Sequence, residues 1–271
     1  MANISLLILT HSEYSDIWFP LFDRFHQFLS IRFQKVYVCC DKKSDIEELK
    51  KLYPIDGFYI YTDNMSYPNR MKQALSEIQD EYVLIWHDSN ILTDFTDVSS
   101  FEKIQQFLGN ADVDQLRLHA GSCILPGIQI KDDIYKMRTN DPYLYCVYPT
   151  IWKKSSLMKI FYLFPNKTYR QIEDGDIQSY VSTLNNYYVW NLEKCPPRGC
   201  AMEVRPHIIK YAKLIVTGRW TMRWDELEIT SICNEYHINF HSRGINDSIC
   251  YNSYLHDCYL KYKQNHVCHC T

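Results

Sequence analysis

Apolar residues recur along the first ninety positions in two alternating rhythms. Ile4-Ser-Leu-Leu-Ile-Leu9, Val36-Tyr-Val-Cys-Cys40, Phe58-Tyr-Ile-Tyr61 and Tyr82-Val-Leu-Ile-Trp86 are short runs, apolar on both faces, as buried parallel strands are. Between the first two, Trp18, Leu21, Phe22, Phe25, Phe28 and Leu29 return every three or four residues, with Asp23, Arg24 and Gln27 opposite; this predicts an amphipathic helix packed on a core. Ser44-Asp-Ile-Glu47 reads as a capping box opening a second helix to about Leu52, and Arg70 to Gln79 has the spacing and composition of a third. Strands alternating with helices predict an α/β fold, with one mostly parallel sheet and helices on both faces.

Beyond Asp88 the rhythm weakens. The pattern predicts a helix over Phe101 to Leu108, a strand over Gln115 to Leu118, a helix over Ile151 to Tyr162 and another over Ile177 to Leu184. Lys194-Cys-Pro-Pro-Arg-Gly-Cys200 reads as a loop, because paired prolines stop regular structure. As a β segment, His237, Asn239 and His241 would share one face. The last thirty residues are unpatterned. Right-handed crossovers bring the carboxyl ends of parallel strands to one edge, where open α/β sheets bind ligands. Thr10, His11, Asp41, Asp63, His87 and Asp88 all follow predicted strands and are expected on that edge.

Composition narrows the functional classes. The chain of 271 residues fits one α/β domain with an appended region, and only 8 Gly and 10 Pro argue against low complexity. A formal net charge of -3 without a basic run disfavours nucleic acid and other polyanions. Twenty-two Tyr, 12 Phe and 6 Trp suit stacking on sugar rings, and equally suit a plain core. The first apolar run is too short for a signal peptide or a membrane span, and no later run reaches the roughly 18 residues a span needs. A cytoplasmic protein is expected. Eleven Cys is an odd count, in keeping with reduced thiols. Cys258, His266, Cys268, His269 and Cys270 offer zinc ligands, but without two regular Cys-x2-Cys knuckles.

An acid after a buried strand can hold a divalent ion against two donor phosphates, and it can equally cap a turn. The surrounding segments favour the first. Asn69-Arg-Met-Lys-Gln-Ala-Leu75 followed by Tyr82-Val-Leu-Ile-Trp-His-Asp-Ser-Asn-Ile-Leu-Thr-Asp94 resembles the nucleotide-sugar block of bacterial and large-DNA-virus GT-A glycosyltransferases that build capsular or surface glycans. Tyr148-Pro-Thr-Ile-Trp-Lys-Lys-Ser-Ser-Leu157, Tyr169-Arg-Gln-Ile-Glu173 and the Gly218-Arg-Trp220 end of a later segment are similar to elements that follow in the same order in those enzymes.

The resemblance spans about Ser5 to Trp220. It implies a GT-A domain over residues 1–220, with a nucleotide-sugar half (1–100), an acceptor half (101–220) and a C-terminal extension (221–271). The implied activity is transfer of a sugar from a nucleotide-diphosphate donor, uridine favoured, to a glycan or glycoprotein hydroxyl with inversion. The alternative is a non-catalytic nucleotide- or carbohydrate-binding protein. Thr10, His11, Asp41, Asp63, Arg70, His87 and Asp88 would hold the donor, and Arg70 suits phosphate through its fork of donors. Asp88 and His241 would ligate Mn2+ or Mg2+, although His87-Asp88-Ser89 lacks the family's paired acids. Glu173 would be the catalytic base, with Asp176 beside it; otherwise the two are simply acids at a helix start. Trp152 would floor the acceptor site or serve as core.

Overall fold

Alternate side chains of the first strand, β1 (Ile4–Leu9), enter two different cores. Ile4, Leu6 and Ile8 pack with the first helix, α1 (Trp18–Phe28), whereas Leu7 faces the opposite side. A two-residue period through a strand apolar on both faces requires a layer of helices on each side. This is a computed structural model; it describes residues 1–118, 127–141, 143–173, 175–191, 207–216, 218–220, 226–239 and 242–243. The Cys/His-rich tail, the 194–200 loop and His241 lie outside the described residues.

Two strand–helix units and a further strand follow β1 and α1. They comprise β2 (Val36–Cys40) with α2 (Ile46–Leu52), β3 (Gly57–Ile60) with α3 (Tyr67–Glu77), and β4 (Tyr82–His87). These four strands pair in parallel in the spatial order β3-β2-β1-β4. The winding direction reverses between β1 and β4, and a crevice opens beyond the carboxyl ends of strands at such a reversal. α3 begins at Ser66, whose hydroxyl accepts from Asn69 N–H, with Pro68 in the first turn. α2 does not use the expected capping box. A 3-10 turn over Lys43–Asp45 leads in, and the Ser44 hydroxyl instead bonds the Asp45 carboxylate.

The second half is more irregular. After a short β5 (Asn90–Leu92) come α4 (Val98–Asn110), β6 (Gln115–Arg117) and the hairpin β7 (Ile128–Lys131) with β8 (Ile134–Lys136). Then follow β9 (Thr150–Lys153), α5 (Lys154–Leu163), α6 (Gly175–Val181) and β10 (Asn186–Val189). The sheet continues β4-β9-β6-β10-β8-β7, with β9 antiparallel to both β4 and β6. The helix expected from Ile151 therefore starts only at Lys154. Residues 150–153 are a strand because Ile151 and Trp152 are claimed by opposite cores, and tertiary burial overrides local periodicity.

β11 (Tyr211–Lys213) pairs with β5, and β12 (Ile215–Val216) with β13 (Arg219–Trp220). Within the segment assigned to a C-terminal extension, α7 (Glu226–Glu235) sends Ile229, Ile232 and Cys233 into the core around α1. His237 is not in a strand. It takes a left-handed φ of 52°, with His237 N–H on Asn234 and Ile238 N–H on the Cys233 carbonyl, a Schellman closure of α7. The described cysteines, Cys39, Cys40, Cys146 and Cys233, are buried free thiols. No described helix is long and apolar enough to cross a membrane.

Candidate functional site

Thr10 and Asp88 end the two strands that flank the reversal, and they bond each other. The Thr10 hydroxyl donates to Asp88 Oδ2 at 2.5 Å while accepting the Trp18 indole N–H at 2.6 Å. The Thr10 carbonyl takes the Tyr61 hydroxyl at 2.8 Å, and Asp88 N–H returns to the Leu9 carbonyl at 3.1 Å. Burial pushes the Asp88 carboxyl up to about 7, against hydrogen bonds from Thr10 and the Ser89 and His11 backbone and the attraction of Arg243. Beside it, His87 is held neutral: burial, helped by the Lys213 charge, pushes it down to about 3. Its Nε2 is buried without a hydrogen bond, and its ring meets Tyr169 edge-on at 5.7 Å.

Along the same edge, His11, Asp41 and Asp63 converge, their ligand atoms all within 4.8 Å of one another. His11 Nδ1 accepts the Glu13 N–H at 3.1 Å, which places the ring proton on Nε2, facing Asp63 at 3.2 Å and Asp41 at 3.6 Å. Asp41 is the fixed member. Desolvation alone would raise its carboxyl, but the Ser12 hydroxyl and N–H and the His11 ring hold it below the usual range. Asp63 is 71% exposed and free to meet a ligand. Arg70 is stacked 4.3 Å over Tyr61 and donates to the Met65 and Asp63 carbonyls, bracing the loop that carries Asp63.

Glu173 stands at the end of a 3-10 turn over Gln171–Glu173. Its Oε1 accepts Val147 N–H at 2.9 Å, and Gln178 ties its carbonyl to Tyr145. Burial raises the Glu173 carboxyl above the glutamate range, with Val147 N–H, Lys213 and Arg117 pulling the other way. Tyr169 packs against both His87 and Tyr67. Nearly half of its surface is open (45%), yet its hydroxyl lies where both Glu173 and Asp88 act on it, pushing its ionisation well above the normal range along with burial and Tyr67. Tyr67 meets the Tyr169 ring edge-on at 5.2 Å, and Tyr145 lies buried behind it in the core.

Two sequence-derived assignments do not join this site. Asp176 is 77% exposed and pairs with Lys167 at 3.4 Å, so the raised Glu173 owes its shift to burial and not to a neighbouring acid. Trp152 is 2% exposed and packs on Tyr145 at 5.5 Å. It is a core residue with no surface for an acceptor. Conversely, the sequence reading missed Tyr14, Lys213 and Arg243, whose charges or hydroxyls act on Asp88, His87 or Glu173. None sits after a long regular strand, and Arg243 lies in the segment without periodicity.

The described residues around Asp88 do not compose a seat for a divalent ion. Three protein donors occupy its oxygens, no second carboxylate stands at 87 or 89, and the Arg243 charge that acts on it would repel a cation. The His11 cluster fits no better, since a metal at Nε2 would force the proton onto Nδ1 and break the bond from Glu13 N–H.

No protein-family model and no curated protein matches the chain. Among solved structures it is similar to S. aureus TarS 1-349, at 13% identity and a TM-score of 0.42 over 70% of this chain and 61% of that one. The same fragment in complex with UDP-GlcNAc gives 12% identity and a TM-score of 0.46, covering 69% and 56%. CMP:2-keto-3-deoxy-manno-octonic acid synthetase complexed with CTP gives 10% identity and 0.46, covering 77% and 94%. The chain thus spans less than two thirds of the TarS fragment.

Proposed function

We propose that the chain is a GT-A-type glycosyltransferase, which moves a sugar from a nucleoside-diphosphate donor, uridine favoured, to a hydroxyl of a glycan or glycoprotein with inversion. The observation that carries this reading is Glu173, a half-buried carboxyl raised above its ordinary range, which shares the Tyr169 hydroxyl with the strand-end acid Asp88, both charges acting on it. A base tuned toward neutrality is what deprotonation of an alcohol at physiological pH uses. Glu173 takes the acceptor proton as the acceptor oxygen bonds the anomeric carbon. The bond from that carbon to the donor phosphate breaks on the opposite face, and the nucleoside diphosphate leaves with the electron pair. Exposed Asp63 and half-buried His11 would meet the base and ribose, with Arg70 bracing the loop of Asp63. The half-open ring of Tyr169 offers a stacking surface for a sugar.

Thermal unfolding with UDP, GDP and CDP and hydrolysis assays on their sugar conjugates test the donor site; no shift with any nucleotide would sink the reading. Glu173→Gln is expected to lower transfer at least about 100-fold while leaving donor affinity within roughly twofold. A second reading, a nucleotide- or carbohydrate-binding protein without catalysis, is favoured by the single, hydrogen-bond-saturated acid at Asp88. Nucleotide binding without turnover on any sugar nucleotide would select it.

A further inference from the structure

Arg243 is a charge in the donor site to which glycosyl transfer by Glu173 assigns no task. The chain brings it back over the edge that begins the molecule. Nε donates to Asp16 Oδ2 at 2.9 Å and NH2 to Asp16 Oδ1 at 2.5 Å, and NH2 also reaches the Glu13 carbonyl. The guanidinium lies 4.8 Å over the Tyr14 ring and 6.0 Å from that of Trp220, and its side chain is 14% exposed. NH1 has no hydrogen-bond partner among the described residues, and the positive charge acts on both Asp88 and Tyr14.

We propose that Arg243 binds the donor diphosphate, and that nucleoside-diphosphate binding by this chain does not require a divalent cation. This rests on the donor-site reading given above. Asp16 and the aromatic rings fix the guanidinium on one side, so little conformational freedom is lost when the NH1 side meets phosphate oxygens. The charge a metal would supply is already there as a permanent cation held over Tyr14, acting on Asp88. The same charge makes the spot unfavourable for a second cation. Asp16 acts as a positioning residue, holding the fork by its Nε and NH2 edge.

Calorimetric titration of the full chain with UDP, GDP and CDP, each beside its parent nucleoside, tests this in excess EDTA and again with Mn2+. The affinity for the bound diphosphate is expected to agree within roughly twofold between the two conditions. R243Q should weaken the diphosphate by about 10- to 100-fold and leave the nucleoside unchanged, and R243K should recover part of the loss. Circular dichroism confirms folding of each variant. Equal losses for nucleoside and diphosphate would assign Arg243 a purely structural role and overturn the proposal. Binding that appears only with Mn2+ and persists in R243Q would overturn it too, while leaving the donor site intact. Failure of every nucleotide in both conditions would remove the donor site itself.

Discussion

Asp88, buried, and Glu173, half-buried, are both carboxyls raised above their ordinary range by desolvation, yet the chain holds them in opposite ways. Asp88 sits at the end of a six-residue strand, locked by the Thr10 hydroxyl and two backbone N–H groups at the seam between β1 and β4. Glu173 stands on a three-residue turn over an irregular loop, with Val147 N–H as its direct donor and two cations acting through space. The first arrangement spends the acid's lone pairs on the protein and fixes geometry. The second leaves an oxygen free for a proton. A site that must both position and react profits from keeping the two tasks on separate acids.

The sharpest way to break this contrast is Trp152→Ala. Trp152 fills the core under Tyr145, whose backbone is tied by Gln178 to Glu173, while the Thr10–Asp88 seam belongs to the strands beyond. The truncation should cost about 3–5 kcal/mol in urea unfolding and lower transfer more than nucleotide affinity. Equal loss of both would mean that the two acids share one support.

A second measurement concerns stability against pH. Burial raises Asp88 from 3.8 to about 7, so between those values the folded protein keeps a proton that the unfolded chain releases. The stabilisation from this site is complete below the lower value and is lost as pH rises through the upper one, by about 2–4 kcal/mol. Asp88→Asn should remove that decline between about pH 4 and pH 7. Parallel profiles for the two proteins would show Asp88 charged throughout and erase its distinction from an ordinary acid.

The smallest effect is expected from Lys213→Gln. Lys213 favours the carboxylate of Glu173, so its removal should move the acid limb of the transfer profile to higher pH, by up to about one unit. A limb that stays in place would detach Glu173 from that limb.

The sequence made the carboxyl edge of the parallel strands legible because long apolar strands and one amphipathic helix state their own period. Leu6 and Leu7 need opposite cores wherever they sit, and Asp88 follows from counting strands. Its bonding to Thr10 did not, because it depends on which strands become neighbours. The second half hides its plan in strands of two to four residues whose buried positions include polar Gln115, Arg117 and Asn186. Glu173 emerged only through resemblance. Its environment comes from Val147, Arg117 and Lys213, scattered residues that no local spacing connects.

β9 has a consequence for how the molecule assembles. It slots antiparallel between β4 and β6, pairing Leu84 and Leu116 with Ile151. Until that late strand arrives, β4 is an open, apolar rim of a four-stranded half, with its backbone donors and acceptors unspent. Closure awaits a segment far along the chain, which makes this step slow relative to the local strand–helix units. During folding, the border that later carries Asp88 is therefore the one most prone to pair with another molecule, and β9 is its chaperone in cis.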